Sequence, residues 1–151
     1  MLDVLGILAE LAWRTGLCLV TMPLRLASSD PQQDAIAEKL GRPQSGGPLT
    51  ISVIIPCYNE ESRVTDAVCS ALSDDFVTEV IVSDGGSSDQ SLARVLALMQ
   101  DRVRILQGGS SRASCQNAAA EVAVGEVLLF LHADSVLPPR FGAAVVAALQ
   151  G

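Results

Sequence analysis

The sequence predicts an α/β fold: a doubly wound parallel sheet of about four strands, a Rossmann-like arrangement, behind an N-terminal helical extension. Three observations carry this. Short β-branched or apolar runs at 51–55, 79–82, 103–106 and 127–131 alternate with stretches of helical periodicity, the pattern of strands joined by helical crossovers. Each run stops at a proline, a glycine pair or a polar cluster: Pro56, Asp84-Gly85-Gly86, Gly108-Gly109 and His132-Ala133-Asp134. The last run, VLLFL, is apolar at every position, as in a central strand buried on both faces.

The whole chain sets bounds on what that sheet does. Its 151 residues hold one domain of ordinary size and an extension. Hydrophobic residues make up 49% and charged residues 18%, enough apolar surface for a core and too little charge for disorder. The net charge is −7 and no Lys/Arg cluster is present, which argues against a nucleic-acid partner. A phosphate-bearing ligand would need a cation or backbone N–H groups to hold it. Cys18, Cys57, Cys69 and Cys115 contain no CxxC spacing, so they read as reduced, buried small hydrophobes of a cytoplasmic chain.

Residues 1–27 form the first unit. Asp3, Glu10, Arg14 and Thr21 fall on one face of an otherwise apolar helix over 2–27, with Glu10 and Arg14 in the favourable i,i+4 order. Three charges in the first fourteen residues argue against a membrane span, and Asp3 argues against a secretory signal. The expectation is a helix packed on its own domain or on a partner protein; the sharper alternative is an interfacial helix giving peripheral membrane contact. Residues 28–48 are a linker, with Pro31, Pro43, Pro48 and Gly46-Gly47.

The domain proper covers 49–151. Strand 51–55 is expected to end at Pro56. Apolar positions 64, 67, 68, 71 and 72 mark a helix over 62–72. After strand 79–82, Ser87 and Gln90 can form a capping box that opens a helix over 92–99. After strand 103–106, Ser110 or Ser111 can cap a helix running to Val124. Strand 127–131 follows, and a last helix spans 141–149 after Pro138-Pro139.

In a parallel sheet every loop that leaves a strand lies on one edge, so Asn59-Glu60, Asp84-Gly85-Gly86, Gly108-Gly109 and His132-Ala133-Asp134 converge. The glycines permit close backbone approach. The helix starts after Ser87 and Ser110 turn N–H groups toward the same edge. Asp84 and Asp134 supply acceptors for ribose hydroxyls or a divalent cation. Singly, each has a plainer use: a turn at Asp84-Gly85-Gly86, caps at Asn59 and Ser87, a structural imidazole at His132. Together they suit a nucleotide diphosphate bound through a metal. Neither a GxGxxG fingerprint after the first strand nor a GKS/GKT P-loop is present.

SVIIPCYNEE (52–61), EVIVSDGGSSD (79–89) and GEVLLFLHADS (125–135) resemble the N-terminal half of family 2 glycosyltransferases with the GT-A fold. With SRASCQN (111–117), the His-Ala-Asp form is closest to the rSAM/selenodomain-associated transferase 2 subfamily. The resemblance covers about 50–141. It implies a nucleotide pocket lined by Pro56, Asn59, Glu60, Gly85, Gly86 and His132, with Asp84 on the base or ribose. Asp134 stands at the second acidic position of the family's Asp-x-Asp motif and would bind Mn or Mg; His132 replaces the first. Arg112 would assist the phosphates and Asn117 would orient the donor. Ser114, Cys115, Gln116 and Ala119 depart from the family pattern. The implied function is metal-dependent transfer of a sugar from a nucleotide-sugar donor to an unknown acceptor. Residues 49–151 correspond to the donor-binding half, so the acceptor half and the catalytic residues are not assigned. A truncated or degenerate domain that binds nucleotide, metal or a protein without catalysis is the alternative expectation.

Overall fold

The computed structural model of the chain describes residues 18–19 and 49–150. The elements run β1 (Cys18–Leu19), β2 (Ile51–Cys57), α1 (Val64–Leu72), β3 (Val77–Asp84), α2 (Ser91–Ala97), β4 (Val103–Gln107), α3 (Arg112–Val122), β5 (Val127–Phe130) and α4 (Phe141–Gln150). The sheet order is β1-β5-β2-β3-β4. The four strands of the domain are parallel, in register Ile54↔Ile81, Ile54↔Phe130 and Val82↔Ile105.

The expected doubly wound sheet is therefore present. The helix expected over 2–27 lies outside the described residues except at Cys18–Leu19, and there the expectation is corrected. Those two residues form a short strand antiparallel to Leu129–Phe130. An unpaired sheet edge offers a row of N–H and C=O groups, and the apolar Cys18-Leu19 pair satisfies part of that row on β5. Among the described residues no helix is long and apolar enough to cross a membrane.

Period-two alternation sorts each strand between two cores. Ile51, Val53, Ile55 and Cys57 face one side with Val80, Val82, Leu129 and Leu131, under Val64, Ala67 and Val68 of α1, Val95 of α2 and Phe141 and Val145 of α4. Ile54 and Ile81 face the other side, where Ala119 of α3 packs on them. Of the α1 stripe read from the sequence, Val64, Ala67, Val68 and Ala71 are buried and Leu72 is partly buried against the same core. Because β5 returns beside β2, on the side away from β3, the strand order reverses between β2 and β5. That switch point opens a crevice at the strands' C-terminal ends.

Pro56 does not end β2, which runs on to Cys57. The reason is which neighbour it faces. Ile54 C=O accepts from Leu131 N–H at 2.9 Å, so residues 54 and 56 turn their backbone polar groups toward β5. That strand stops at Phe130, so proline at 56 sits past the end of the β2–β5 ladder, where a missing N–H is tolerated.

The opposite end of the sheet is closed by a buried polar knot. Glu79 is 5% exposed, and its carboxylate accepts from Ser52 Oγ at 2.7 Å, Val124 N–H at 2.7 Å and Arg104 Nη1 at 2.9 Å. Ser52 Oγ in turn accepts from Gly125 N–H at 2.8 Å. A Cβ on Gly125 would stand 2.5 Å from Ser52 N, a backbone atom of the central strand. Gly125→Ala should therefore destabilise the domain by about 2 kcal/mol through overpacking, read as a fall in the urea midpoint.

Candidate functional site

A cleft of about 370 Å³ opens at the C-terminal edge of the sheet, over the crevice between β2 and β5. Its lining comes from the end of β2 (Pro56, Cys57) and the loop after it (Tyr58, Glu60), from Gly85 beyond β3, from Ser110–Arg112 and Cys115 at the start of α3, and from His132–Asp134 beyond β5. That volume lies within the ordinary range for small-molecule sites.

Alternation continues past the end of β5 and explains the placing of His132 and Asp134. Leu131 and Ala133 are buried in the core, at 1% and 5% exposure. Residues 132 and 134 therefore share the other side of the chain, where both meet the cleft. Ser135 N–H donates to His132 C=O at 3.0 Å and closes the turn. Asp134 is exposed, and the one hydrogen bond to its carboxylate among the described residues is a 3.3 Å contact from Ser135 Oγ.

Across the crevice α3 begins at Ser111 in a reciprocal cap. Ser114 N–H donates to Ser111 Oγ at 3.1 Å, and Ser111 N–H donates to Ser114 Oγ at 3.0 Å. The serine cap expected at Ser110 or Ser111 is thus at Ser111. Arg112 is the first helical residue and its exposed guanidinium is the cation of the lining.

The Ser87 cap is corrected. Helix α2 starts at Ser91, and Gln90 precedes it without a side-chain cap. Ser87 is engaged elsewhere: its Oγ accepts from Asn59 N–H at 2.9 Å, and its own N–H donates to Asp84.

Six of the residues singled out in the sequence meet at the cleft: Pro56, Glu60, Gly85, Arg112, His132 and Asp134. Four do not line it. Asp84 is 1% exposed, and its carboxylate accepts from Gly86 N–H at 3.0 Å and Ser87 N–H at 3.1 Å. In this arrangement it shapes the 85–87 loop. Gly86 follows at φ +94°, a conformation only glycine adopts freely. Asn59 sits at φ 55° and turns its amide oxygen to Ser88 N–H at 2.8 Å. Asn117 is exposed on α3 away from the lining.

The cleft also contains residues the sequence reading passed over. Tyr58, 64% exposed, was legible as an aromatic beside the Asn59-Glu60 pair. Cys57 and Cys115 were read only as core, and both are indeed 2% exposed at the cleft floor. Burial pushes the Cys57 thiol up, and the nearby Asp84 charge adds to this. It packs at the cleft floor as a buried thiol.

Comparisons with known proteins agree with this geometry. The family model described as Glycosyl transferase family 2 matches residues 52–151. The chain is 29% identical over 89 residues to UDP-Glc:alpha-D-GlcNAc-diphosphoundecaprenol beta-1,3-glucosyltransferase WfgD of Escherichia coli, covering 57% of this chain and 35% of that protein. It is 33% identical over 143 residues to validoxylamine A glucosyltransferase of Streptomyces hygroscopicus subsp. limoneus, covering 85% and 30%. The crystal structure of S. aureus TarS superposes with a TM-score of 0.59 at 28% identity, over 66% of this chain and 32% of that one. Its complex with UDP-GlcNAc superposes at 0.53 and 27% identity, over 66% and 30%. The chain thus spans about a third of the length of these relatives. With the match running over most of its length, the chain belongs to glycosyl transferase family 2.

Proposed function

We propose that the cleft is the donor site of a glycosyltransferase and binds the nucleotide diphosphate of an activated sugar together with a divalent cation. One observation carries this: Arg112 and the carboxylates of Glu60 and Asp134 line the same cleft, offering a cation for phosphate and anions for metal or hydroxyl groups. That TarS has been solved with UDP and with UDP-GlcNAc supports the ligand class.

Manganese or magnesium fits the groups present. Among the described residues no three His, Cys, Asp or Glu side chains converge as a closed metal cage. Asp134 reaches the cleft with an open carboxylate, and magnesium-type ions keep waters and take ligands from substrate phosphates. When bound, such an ion neutralises the leaving diphosphate. In this reading Arg112 holds a phosphate oxygen, Glu60 and Pro56 border the nucleoside with His132, and Gly85 admits the ligand close to the backbone. Asn59, Asp84 and Gly86 act through the loops they shape, and Asn117 through α3. The His132-Ala133-Asp134 form and the 111–117 run support a place near the rSAM/selenodomain-associated transferase 2 subfamily. The three free thiols among the described residues, Cys57, Cys69 and Cys115, support a cytoplasmic setting, with residues 2–27 proposed for peripheral membrane or protein contact.

Sugar transfer to an acceptor is part of the proposal. Among the described lining residues, carboxylates come from Glu60 and Asp134 alone, and both are assigned to the donor. That favours, as the second reading, a domain that binds donor without transferring it. Calorimetric titration of the chain with UDP and with GDP, each with and without Mn²⁺, tests the site. Saturable, metal-dependent binding of one of them is expected; a folded protein that binds neither overturns the reading.

A further inference from the structure

Glu60 and Tyr58 reach the cleft from a loop that has little structure of its own. Three consecutive N–H groups of that loop are each taken by a side chain of the β3–α2 loop or of the first residue of α2. Asn59 N–H donates to Ser87 Oγ at 2.9 Å, Glu60 N–H to Ser91 Oγ at 2.8 Å, and Glu61 N–H to Asp89 Oδ2 at 3.1 Å. Two bonds return: Ser88 N–H donates to Asn59 Oδ1 at 2.8 Å, and Gln90 N–H to Glu61 Oε2 at 2.9 Å. Residues 28 to 31 positions apart are thereby stitched side chain to backbone in both directions.

Asp89 is the centre of this stitch. Besides Glu61 N–H, it accepts from Ser91 N–H at 2.9 Å and from the Ser91 hydroxyl. Ser91 is fully buried, and its oxygen, with its proton committed to Asp89, is left to accept from Glu60 N–H. A relay runs from the Asp89 carboxylate through Ser91 to the backbone of the cleft-lining residue. The stitch consumes the backbone donors of the 59–61 loop, so a bound anion has to find its donors elsewhere. The Glu60 side chain takes no part in it.

We propose that Asp89 and Ser91, neither of which lines the cleft, are positioning residues for the donor site, holding the Tyr58–Glu60 wall in its binding geometry. The inference rests on the donor-site reading and extends it to residues outside the cleft. A misplacement of about 1 Å can cost up to about a hundredfold where geometry matters, and a site wall left loose by its supporting residues loses binding in the same way.

The test uses the 151-residue chain and two variants, Asp89→Ala and Ser91→Ala, with Ser91→Thr to restore the hydroxyl. Calorimetric titration with UDP and Mn²⁺ is expected to show affinity about tenfold weaker in the alanine variants. Ser91→Thr should recover most of it. Amide hydrogen exchange, read without nucleotide, should lose protection at Glu60 and Glu61 while β2 and β3 stay protected. A purely structural residue would instead lower the urea midpoint and leave the affinity of the folded protein alone. Affinity within twofold of wild type in folded Asp89→Ala or Ser91→Ala overturns the proposal. Should the wild-type chain bind no nucleotide, it is the donor-site reading that fails; unchanged exchange at Glu60 and Glu61 would then overturn the stitch as well.

Discussion

Glu79→Ala should lower the stability of the domain by about 3–4 kcal/mol, a large part of what a domain this size possesses. The substitution strips the partner from the Val124 N–H and from the Ser52 hydroxyl proton, and each stranded donor costs about 1–3 kcal/mol. Arg104 contributes less. It is 48% exposed and keeps its bond to Val122 C=O, so its charge is hydrated when Glu79 is gone. Chemical denaturation checks the size, and Glu79→Gln, which keeps one acceptor oxygen, should lose about half as much. The knot lies at the N-terminal end of the strands, opposite the cleft. UDP affinity of the remaining folded protein should therefore be unchanged, whereas a loss of affinity at full stability would contradict this division of labour.

The same carboxylate predicts an acid limb in the stability profile. Burial alone would raise the Glu79 pKa, but hydrogen bonds from Ser52, Val124 and Arg104, with the Arg104 charge, overcome it and hold the group below the usual glutamate range. A folded-state value below the unfolded one means the unfolded chain takes up the proton first. The contribution is complete above the unfolded value of about 4.3 and falls away as pH drops toward the folded one. Urea midpoints measured from pH 6 down to pH 3 should fall more steeply for the wild type than for Glu79→Gln.

The sheet was legible because β-branched runs and helical stripes are local signals, and the two cores follow from alternation alone. Of the positions 64, 67, 68, 71 and 72 chosen by periodicity, the first four are the buried face of α1 and Leu72 is partly buried beside them. What was not legible depends on partners far along the chain. Pro56 looks like a stop because proline lacks a donor, but whether that donor is needed depends on where β5 ends. Ser87 followed by Gln90 looks like a capping box, yet the hydroxyl is claimed by Asn59, 28 residues away. Nothing local to Glu79 marks it as the centre of a buried knot, because its partners Ser52 and Val124 lie 27 and 45 residues away. At the site, the strand ends read from the sequence bring Glu60, Gly85, His132 and Asp134 to one cleft, and Pro56 and Arg112, implied by the resemblance, line it with them. The loop bonds of Asp84 were not legible: a carboxylate next to glycine N–H groups turns inward to its own loop as readily as outward to a ligand.

Asp134→Ala should reduce metal-dependent donor binding by at least about a hundredfold, the size expected when an ion loses the charged ligand that anchors it to the protein. The structure explains why the effect should be confined to the metal-bound complex. Asp134 is exposed, and Ser135 Oγ at 3.3 Å is its one hydrogen-bonding neighbour among the described residues, so its removal strands nothing buried. The urea midpoint should stay within experimental error of wild type. Affinity for UDP without metal, held by Arg112 and the pocket walls, should change little or rise slightly, because a negative charge near the diphosphate has gone. Asp134→Asn should fall between the two, since the amide oxygen can still coordinate but carries no charge. The measurement is a pair of calorimetric titrations for each variant, UDP with Mn²⁺ and UDP with a chelator present. The ratio of the two affinities isolates the metal's contribution. If that ratio is large in the wild type and the same in Asp134→Ala, the cation is held elsewhere in the cleft, and Glu60 becomes the first carboxylate to replace.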